Sequence, residues 1–171
     1  FCATHTLYQM LALIAKDGAF SVKVGVLSGE VLTSRAGENI RKAFPATAFY
    51  NVYGLTEHSP RVSALLPEDF SRKPGSVGKA IGDVRLKIID GELMVKSASV
   101  MRGYYPDEGE TRKKLSDGWL HTGDRAHFDS EGYLYIDGRK DGMLIKAGIN
   151  VYPEEIENAV KKIPGVNDCV V

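Results

Sequence analysis

Two apolar runs, residues 22–27 and 48–53, each follow a segment of helical period and each stop at a glycine, and this alternation narrows the fold more than any other feature. In the first such segment Thr6 is placed to act as an N-cap, and Leu7, Met10, Leu11 and Ile14 recur at the spacing of an amphipathic helix. The second, residues 34–44, is polar on its outer side and ends before Pro45. The apolar runs stop at Ser28-Gly29 and at Gly54, as buried strands do. Helix, strand, helix, strand in this order predicts an α/β layer with parallel strands.

From Arg61 the texture changes. Short β-like runs at 84–89, 92–96 and 133–136 are separated by the glycine turns Asp90-Gly91 and Glu131-Gly132, which predicts antiparallel hairpins or a small β-barrel. After Gly138-Arg139 come an alternating stretch at 143–151 and a helix started by Pro153. Glu154 and Glu155 lie in its first turn, and Ile156, Ala159, Val160 and Ile163 form its apolar stripe.

The 22 basic residues balance the 22 acidic ones and are scattered, the tightest group being Arg112, Lys113 and Lys114. That leaves no electrostatic footprint for nucleic acid. The first apolar stretch, residues 7–15, is too short for a transmembrane segment. Cys2 and Cys169 lack CxxC or metal-ligand spacing, which fits a reduced, cytoplasmic protein. A start at Phe1 and an end in an apolar Cys169-Val170-Val171 read as cuts from something longer.

Three clusters carry chemistry. Asn51-Val52-Tyr53-Gly54-Leu55-Thr56-Glu57 ends an expected strand, where α/β sheets bind ligands. There a ring can stack on a base, a hydroxyl can meet a phosphate, and a carboxylate can hold Mg²⁺. Equally, Tyr53 could be core and Glu57 solvated surface. The second cluster, Trp119-Leu120-His121-Thr122-Gly123-Asp124, reads as an aromatic and a tight turn presenting one carboxylate. That carboxylate could accept from both ribose hydroxyls, in bonds worth about 1.5–3 kcal/mol, or simply cap backbone N–H groups. The third is Gly138-Arg139-Lys140-Asp141-Gly142, followed by residues 145–157, IKAGINVYPEEIE.

The order YGLTE, GELMV with RGYY, WLHTGD, GRKDGMLIKAG and PEEIE resembles the adenylate-forming superfamily of acyl-CoA synthetases, peptide-synthetase adenylation domains and luciferases. The resemblance begins weakly at TLYQMLA and VLSGE and covers nearly the whole chain. It implies ATP/AMP, Mg²⁺ and coenzyme A as cofactors and substrates, and a carboxylic acid activated as acyl-AMP before transfer to a thiol. Tyr53 and Gly54 would lie at the nucleotide, Tyr53 stacking on adenine. Asn51 would approach the exocyclic amine, and the backbone at Gly29 and Glu30 would line the other side of the base. Thr56 would contact the α-phosphate and Glu57 would hold Mg²⁺. Asp124 would bind the ribose with Arg139 beside it, Asp141 would be an interdomain hinge, and Lys146 with Gly148 would face the thiol. On this reading residues 1–60 end the nucleotide-binding layer, 61–140 form a barrel-like subdomain, and 141–171 hold the hinge and the beginning of a small α+β domain.

Parts of the family pattern are missing from the sequence. The Ser/Thr/Gly-rich phosphate loop upstream of YGLTE is absent, and Gly75-Ser76-Val77-Gly78-Lys79 is too short for a P-loop and reads as a barrel turn. The adenylation lysine would fall beyond Val171, since Lys161 and Lys162 do not match its motif. The isolated chain is therefore expected to be inactive alone and to need the remainder of the parent. KSASVM stands where a glycine-proline pair is usual, and His58 either borders the acyl pocket or is a surface histidine. IKAGINVYPEEIE and WLHTGD resemble the CoA ligases more than the IKIRG and YRTGD forms of peptide synthetases. The alternatives are a domain that loads a carrier protein and a non-catalytic nucleotide-binding module.

Overall fold

The computed structural model describes residues 1–14, 21–140, 144–146, 149–151, 153–166 and 168–171. The parallel layer is present. Strand β1 (Cys2–Ala3), helix α1 (His5–Ile14), strand β2 (Val24–Leu27), helix α2 (Ser34–Ala43) and strand β3 (Ala48–Leu55) follow in order, with β1, β2 and β3 parallel. Strands β4 (His58–Leu65) and β5 (Lys79–Ala80) extend the same sheet antiparallel, so it continues past residue 60. β1 is only two residues long and carries no periodicity to read.

The first helix starts earlier than its apolar spacing predicts. Thr4, not Thr6, caps it by accepting the Leu7 N–H at 3.3 Å, while Thr6 donates its hydroxyl to Glu30 at 2.7 Å. The buried face is set by His5 and Tyr8, whereas Leu7, Met10 and Ile14 are exposed. Tyr8 packs edge-on against Phe44 and Phe49, with centroids 5.8 and 5.3 Å away. These rings, with Leu27, Ile40, Leu65 and Phe70, form the core between the helices and the sheet. Thr33 caps α2 through the Ala36 N–H, and Arg41 and Lys42 in its last turn suit the negative end of the dipole.

The second sheet is antiparallel and curled. Strands β6 (Arg85–Ile89) and β7 (Glu92–Lys96), helix α3 (Glu108–Lys114), and strands β8 (Leu115–Ser116), β9 (Trp119–Phe128) and β10 (Leu134–Arg139) pair in the order β10-β9-β7-β6, with β8 on β9. Asp90-Gly91 and Asp117-Gly118 all have positive φ, the backbone that two-residue hairpins demand. Val62, Leu93, Val95, Leu120 and Leu134 fill the concave side.

Residues 75–79, expected as a turn, stitch the sheets together. Val77 N–H donates to Leu134 O at 2.9 Å and Leu134 N–H to Gly78 O at 2.8 Å, while the Ser76 hydroxyl donates to Leu134 O. At Gly78 a side-chain carbon would stand 1.9 Å from Ala64 O, so close backbone approach explains this glycine without any phosphate.

The alternating stretch near the end folds as a hairpin of β11 (Leu144–Lys146) and β12 (Ile149–Val151), followed by α4 (Pro153–Val160). In α4 the side chains of Ile156 and Val160 are half-buried and Ala159 is exposed, and Ile163, exposed, lies beyond the helix, so the expected stripe is only partly covered. Asp141 and Gly148 lie outside the described residues, and Lys146 is described through its backbone pairing with Ile149. Among the described residues no helix is long and apolar enough to cross a membrane.

Candidate functional site

The carboxyl edge of the parallel layer and one end of the curled sheet meet at a shared shelf. Parallel pairing sets Leu27 opposite Asn51, which brings the exposed Gly29 and Glu30 to the same edge as Tyr53. Gly29 turns the chain there with φ of 92°. The Glu30 carboxylate is spent on the start of α1, accepting from the Thr6 N–H and hydroxyl, so its backbone is what remains for a ligand.

Strand β3 runs through Gly54 to Leu55, beyond the expected stop at Gly54. The register slips between Tyr53 and Leu55, and a side-chain carbon at Gly54 would meet Pro60 O at 2.1 Å. Gly54 is thus required by the crossing of its own hairpin partner. Thr56 and Glu57 form the two-residue turn that follows, with Thr56 exposed and Glu57 half-buried.

Asn51 departs from its expected place at the base. Its side chain is 1% exposed, with Oδ1 facing His5 Nε2 at 3.0 Å and Nδ2 donating to Ser76 O at 2.8 Å. Asn51 shares a face of β3 with Tyr53, two residues on, and it is these two bonds that hold its side chain inward. Because the Asn51 nitrogen faces a carbonyl, its oxygen faces His5, and Nε2 must carry the hydrogen. His5 Nδ1 is then a buried acceptor with no hydrogen-bond partner. His58 is likewise neither surface nor pocket rim: it is 1% exposed and hydrogen-bonded to Ser97 Oγ at 2.6 Å, which gives the KSASVM loop a packing role.

WLHTGD is not a tight turn. It lies within the ten-residue strand β9, where Gly123 has φ of 74° and the pairing with β7 is bulged. A buried Glu92 carboxylate accepts the Gly123 N–H at 3.0 Å and the Lys140 ammonium at 3.0 Å. Burial alone would raise Glu92, yet Lys140 and the Gly123 N–H outweigh it and hold the carboxyl below its usual range. Thr122 Oγ1 accepts the Asp124 N–H at 3.0 Å and donates to Leu93 O. The bulge and these bonds aim the Asp124 carboxylate at the shelf while its backbone stays paired with Arg139.

There Asp124 receives the Tyr53 hydroxyl at 2.5 Å and Arg139 Nη1 at 3.0 Å, Arg139 being its cross-strand partner. Burial first, then the Asp124 charge, pushes Tyr53 far above its ordinary pKa, so it stays a neutral donor. Glu57 accepts the Tyr104 hydroxyl at 2.5 Å, and this bond is the leading cause that holds its carboxyl below the usual range. Tyr104 is correspondingly pushed up to about 12.

The structure therefore brings Tyr53, Gly54, Thr56, Glu57, Asp124 and Arg139 to one shelf beside Gly29 and Glu30. Glu92, Tyr104, Thr122 and Lys114 belong to the same place and were not singled out from the sequence. Glu92, Tyr104 and Thr122 are readable as members of GELMV, RGYY and WLHTGD, whereas Lys114 carries no signal separating it from surface residues. Among the described residues no group of three His, Cys, Asp or Glu side chains stands ready to hold a metal unaided.

The AMP-binding enzyme family matches residues 1–105. The 2-succinylbenzoate–CoA ligase of Oceanobacillus iheyensis is 38% identical over 130 residues, covering 71% of this chain and 27% of that protein. The o-succinylbenzoate CoA synthetase MenE of Bacillus subtilis, solved in complex with the acyl-adenylate intermediate OSB-AMP, superposes with a TM-score of 0.86 at 30% identity, over 99% of this chain and 37% of that one. The same enzyme with ATP and magnesium ion gives a TM-score of 0.83 at 30% identity, over 98% and 37%. The chain thus spans about a quarter of the length of the curated relative it matches. With matched sequence, fold and motif order, it belongs to the family of AMP-binding enzymes.

Proposed function

We propose that this chain is part of an ATP-dependent acyl-CoA synthetase that activates a carboxylic acid as acyl-AMP and passes the acyl group to the thiol of CoA. The observation that carries the reading is the convergence of the Thr56-Glu57 turn with the Asp124–Arg139 pair and Tyr53 at the carboxyl edge of the parallel layer. CoA-ligase relatives and a neighbour holding an acyl-adenylate support it.

In this reading adenine stacks on Tyr53 and lies against the Gly29-Glu30 backbone. Asp124 accepts from the ribose hydroxyls, with Arg139 as the second ribose contact that keeps it aimed. Thr56 donates to the α-phosphate. Glu57 fits Mg²⁺ because it is an ionised carboxylate on an open turn, and Mg²⁺ characteristically takes one or two carboxylates together with substrate phosphates. When bound, the ion supplies charge neutralisation at the phosphates. Asp141 serves as the hinge between residues 1–140 and a small domain that begins at 141–171, and Lys146 and Gly148 face the thiol step. The free Cys2 and Cys169 are in keeping with a reducing, cytoplasmic setting.

The test uses the longer protein. Asp124→Ala is expected to weaken ATP binding by roughly 10- to 100-fold, the loss for charge-assisted hydrogen bonds. Glu57→Gln should chiefly depress metal-dependent adenylate formation. Unchanged ATP affinity in a folded Asp124 variant, measured by calorimetry, would remove the ribose assignment.

A further inference from the structure

Of the two tyrosines in RGYY, Tyr105 is fully exposed, whereas Tyr104 is half-buried and donates its hydroxyl to Glu57 Oε1 at 2.5 Å. That bond is the last of a series. His58 Nε2 lies 2.6 Å from Ser97 Oγ, His58 forms a β-bridge with Val100, and the Met101 N–H donates to the Glu57 carbonyl at 2.8 Å. Residues 97–104 therefore follow the chain through Glu57 and His58. The main-chain contacts already close this loop on the turn, so the tyrosine hydroxyl adds something separate: it fixes the direction of a carboxylate.

Tyr104 is itself held from α3. Its N–H donates to Thr111 Oγ1 at 2.8 Å, and the Thr111 hydroxyl donates to Asp107 O at 2.8 Å. A side-chain carbon at Gly103 would stand 2.7 Å from Thr111 Cγ2, so glycine there is what lets the helix close on the loop. Support thus runs from Thr111 to Tyr104 to Glu57.

The Glu57 carboxylate stands on a turn where Lys114 and Arg139 both act on it electrostatically. Without a donor at Oε1 it would be drawn toward those cations. A carboxylate accepts at both oxygens, so the Tyr104 bond at Oε1 leaves Oε2 with capacity for a further cation. Donors behind a metal-ligating carboxylate orient it, and removing one costs roughly 10- to 100-fold in metal affinity.

We propose that Tyr104 is a positioning residue: anchored by Thr111, it aims the Glu57 carboxylate at the magnesium ion that accompanies ATP, and touches neither nucleotide nor metal itself. The inference rests on the acyl-CoA synthetase reading, in which Glu57 holds Mg²⁺.

In the longer protein, affinities for ATP with magnesium and for ATP in EDTA are measured by calorimetry in wild type, Tyr104→Phe, Glu57→Gln and the double variant. Tyr104→Phe should weaken magnesium-ATP by roughly ten-fold and leave metal-free ATP within about two-fold of wild type. On the Glu57→Gln background the same substitution should change magnesium-ATP by less than about two-fold, because a residue that acts through another is not additive with it. Thr111→Val, which releases the Tyr104 N–H, should give a smaller loss with the same bias toward the metal complex. Equal weakening of both forms of ATP would make Tyr104 a support of the fold alone and overturn the proposal. So would a full loss repeated without the Glu57 carboxylate, or no change at all. Magnesium-ATP affinity in Glu57→Gln equal to wild type would remove the metal assignment and the proposal with it. Wild-type protein that binds ATP in neither form would instead overturn the synthetase reading itself, before any variant is compared.

Discussion

The Tyr53 hydroxyl donates to Asp124 Oδ2 at 2.5 Å, tying the end of the parallel layer to the bulged strand of the curled sheet. Ring and hydroxyl have separable duties. Tyr53→Phe keeps the ring and should lower stability by about 1.5–3 kcal/mol, the range for a hydrogen bond to a charged group. It should leave ATP affinity within a few-fold, while Tyr53→Ala should lose far more. Urea denaturation and calorimetry on both variants check this, and equal losses of affinity would show that the hydroxyl, not stacking, matters.

Glu57 and Tyr104 form a pair with a definite pH signature. The Tyr104 hydrogen bond, the leading cause, lowers Glu57 from 4.5, so the stabilisation it brings is present above pH 4.5 and is lost as pH falls through the lower folded value. On the alkaline side the same bond lasts until Tyr104 ionises near 12. Tyr104→Phe should therefore move the Glu57 carboxyl upward, because burial, the next cause, raises it. Carbon-13 NMR titration of Glu57 in wild type and variant reads the direction.

Gly54 sits in the most recognisable motif of the chain, yet its requirement is steric. Gly54→Ala places a carbon 2.1 Å from Pro60 O, a backbone atom that cannot swing aside. Overpacking of this kind costs about 1–3 kcal/mol, which corresponds to roughly 2–4 °C in Tm per kcal/mol at this chain size. Thermal unfolding followed by circular dichroism should show the drop even without nucleotide. An unchanged Tm with lost ATP binding would make the glycine a ligand contact instead.

His5 predicts an acid-side loss of stability. Burial, the leading cause, lowers its pKa below 6.5, against smaller opposing effects of Asn51 and Glu30. The unfolded chain takes up a proton below pH 6.5 that the folded chain resists, so this stabilisation is complete above 6.5 and fades as pH falls through the folded value. The slope it adds is at most about 1.4 kcal/mol per pH unit. Urea titrations between pH 7 and 5 should show a flatter dependence in His5→Gln, which can still donate to Asn51. An identical slope in the variant would place the proton uptake elsewhere.

Much of this was legible along the chain. Periodicities of 3.6 and 2 and the Asp-Gly turns determined the order of helices and strands and the change from a parallel layer to an antiparallel sheet, because both are local consequences of backbone geometry and side-chain spacing. Motif order alone pointed to Tyr53, Thr56, Glu57, Asp124 and Arg139. What local pattern could not decide was which way each side chain faces once two sheets meet. Leu7, Met10 and Ile14 looked like a buried face, but His5 and Tyr8 are buried, because the Phe44 and Phe49 rings that set the core come from distant segments. Asn51 reads as a base contact, but its side chain is buried and pairs with His5, 46 residues away. WLHTGD looked like a turn, but a Glu92 carboxylate 31 residues back holds Gly123 in a bulge within a strand. Sequence determines what each segment can form through interactions between near neighbours, and tertiary structure decides which polar groups are left facing the shelf, because charges and hydrogen bonds act through space between residues that the chain keeps far apart.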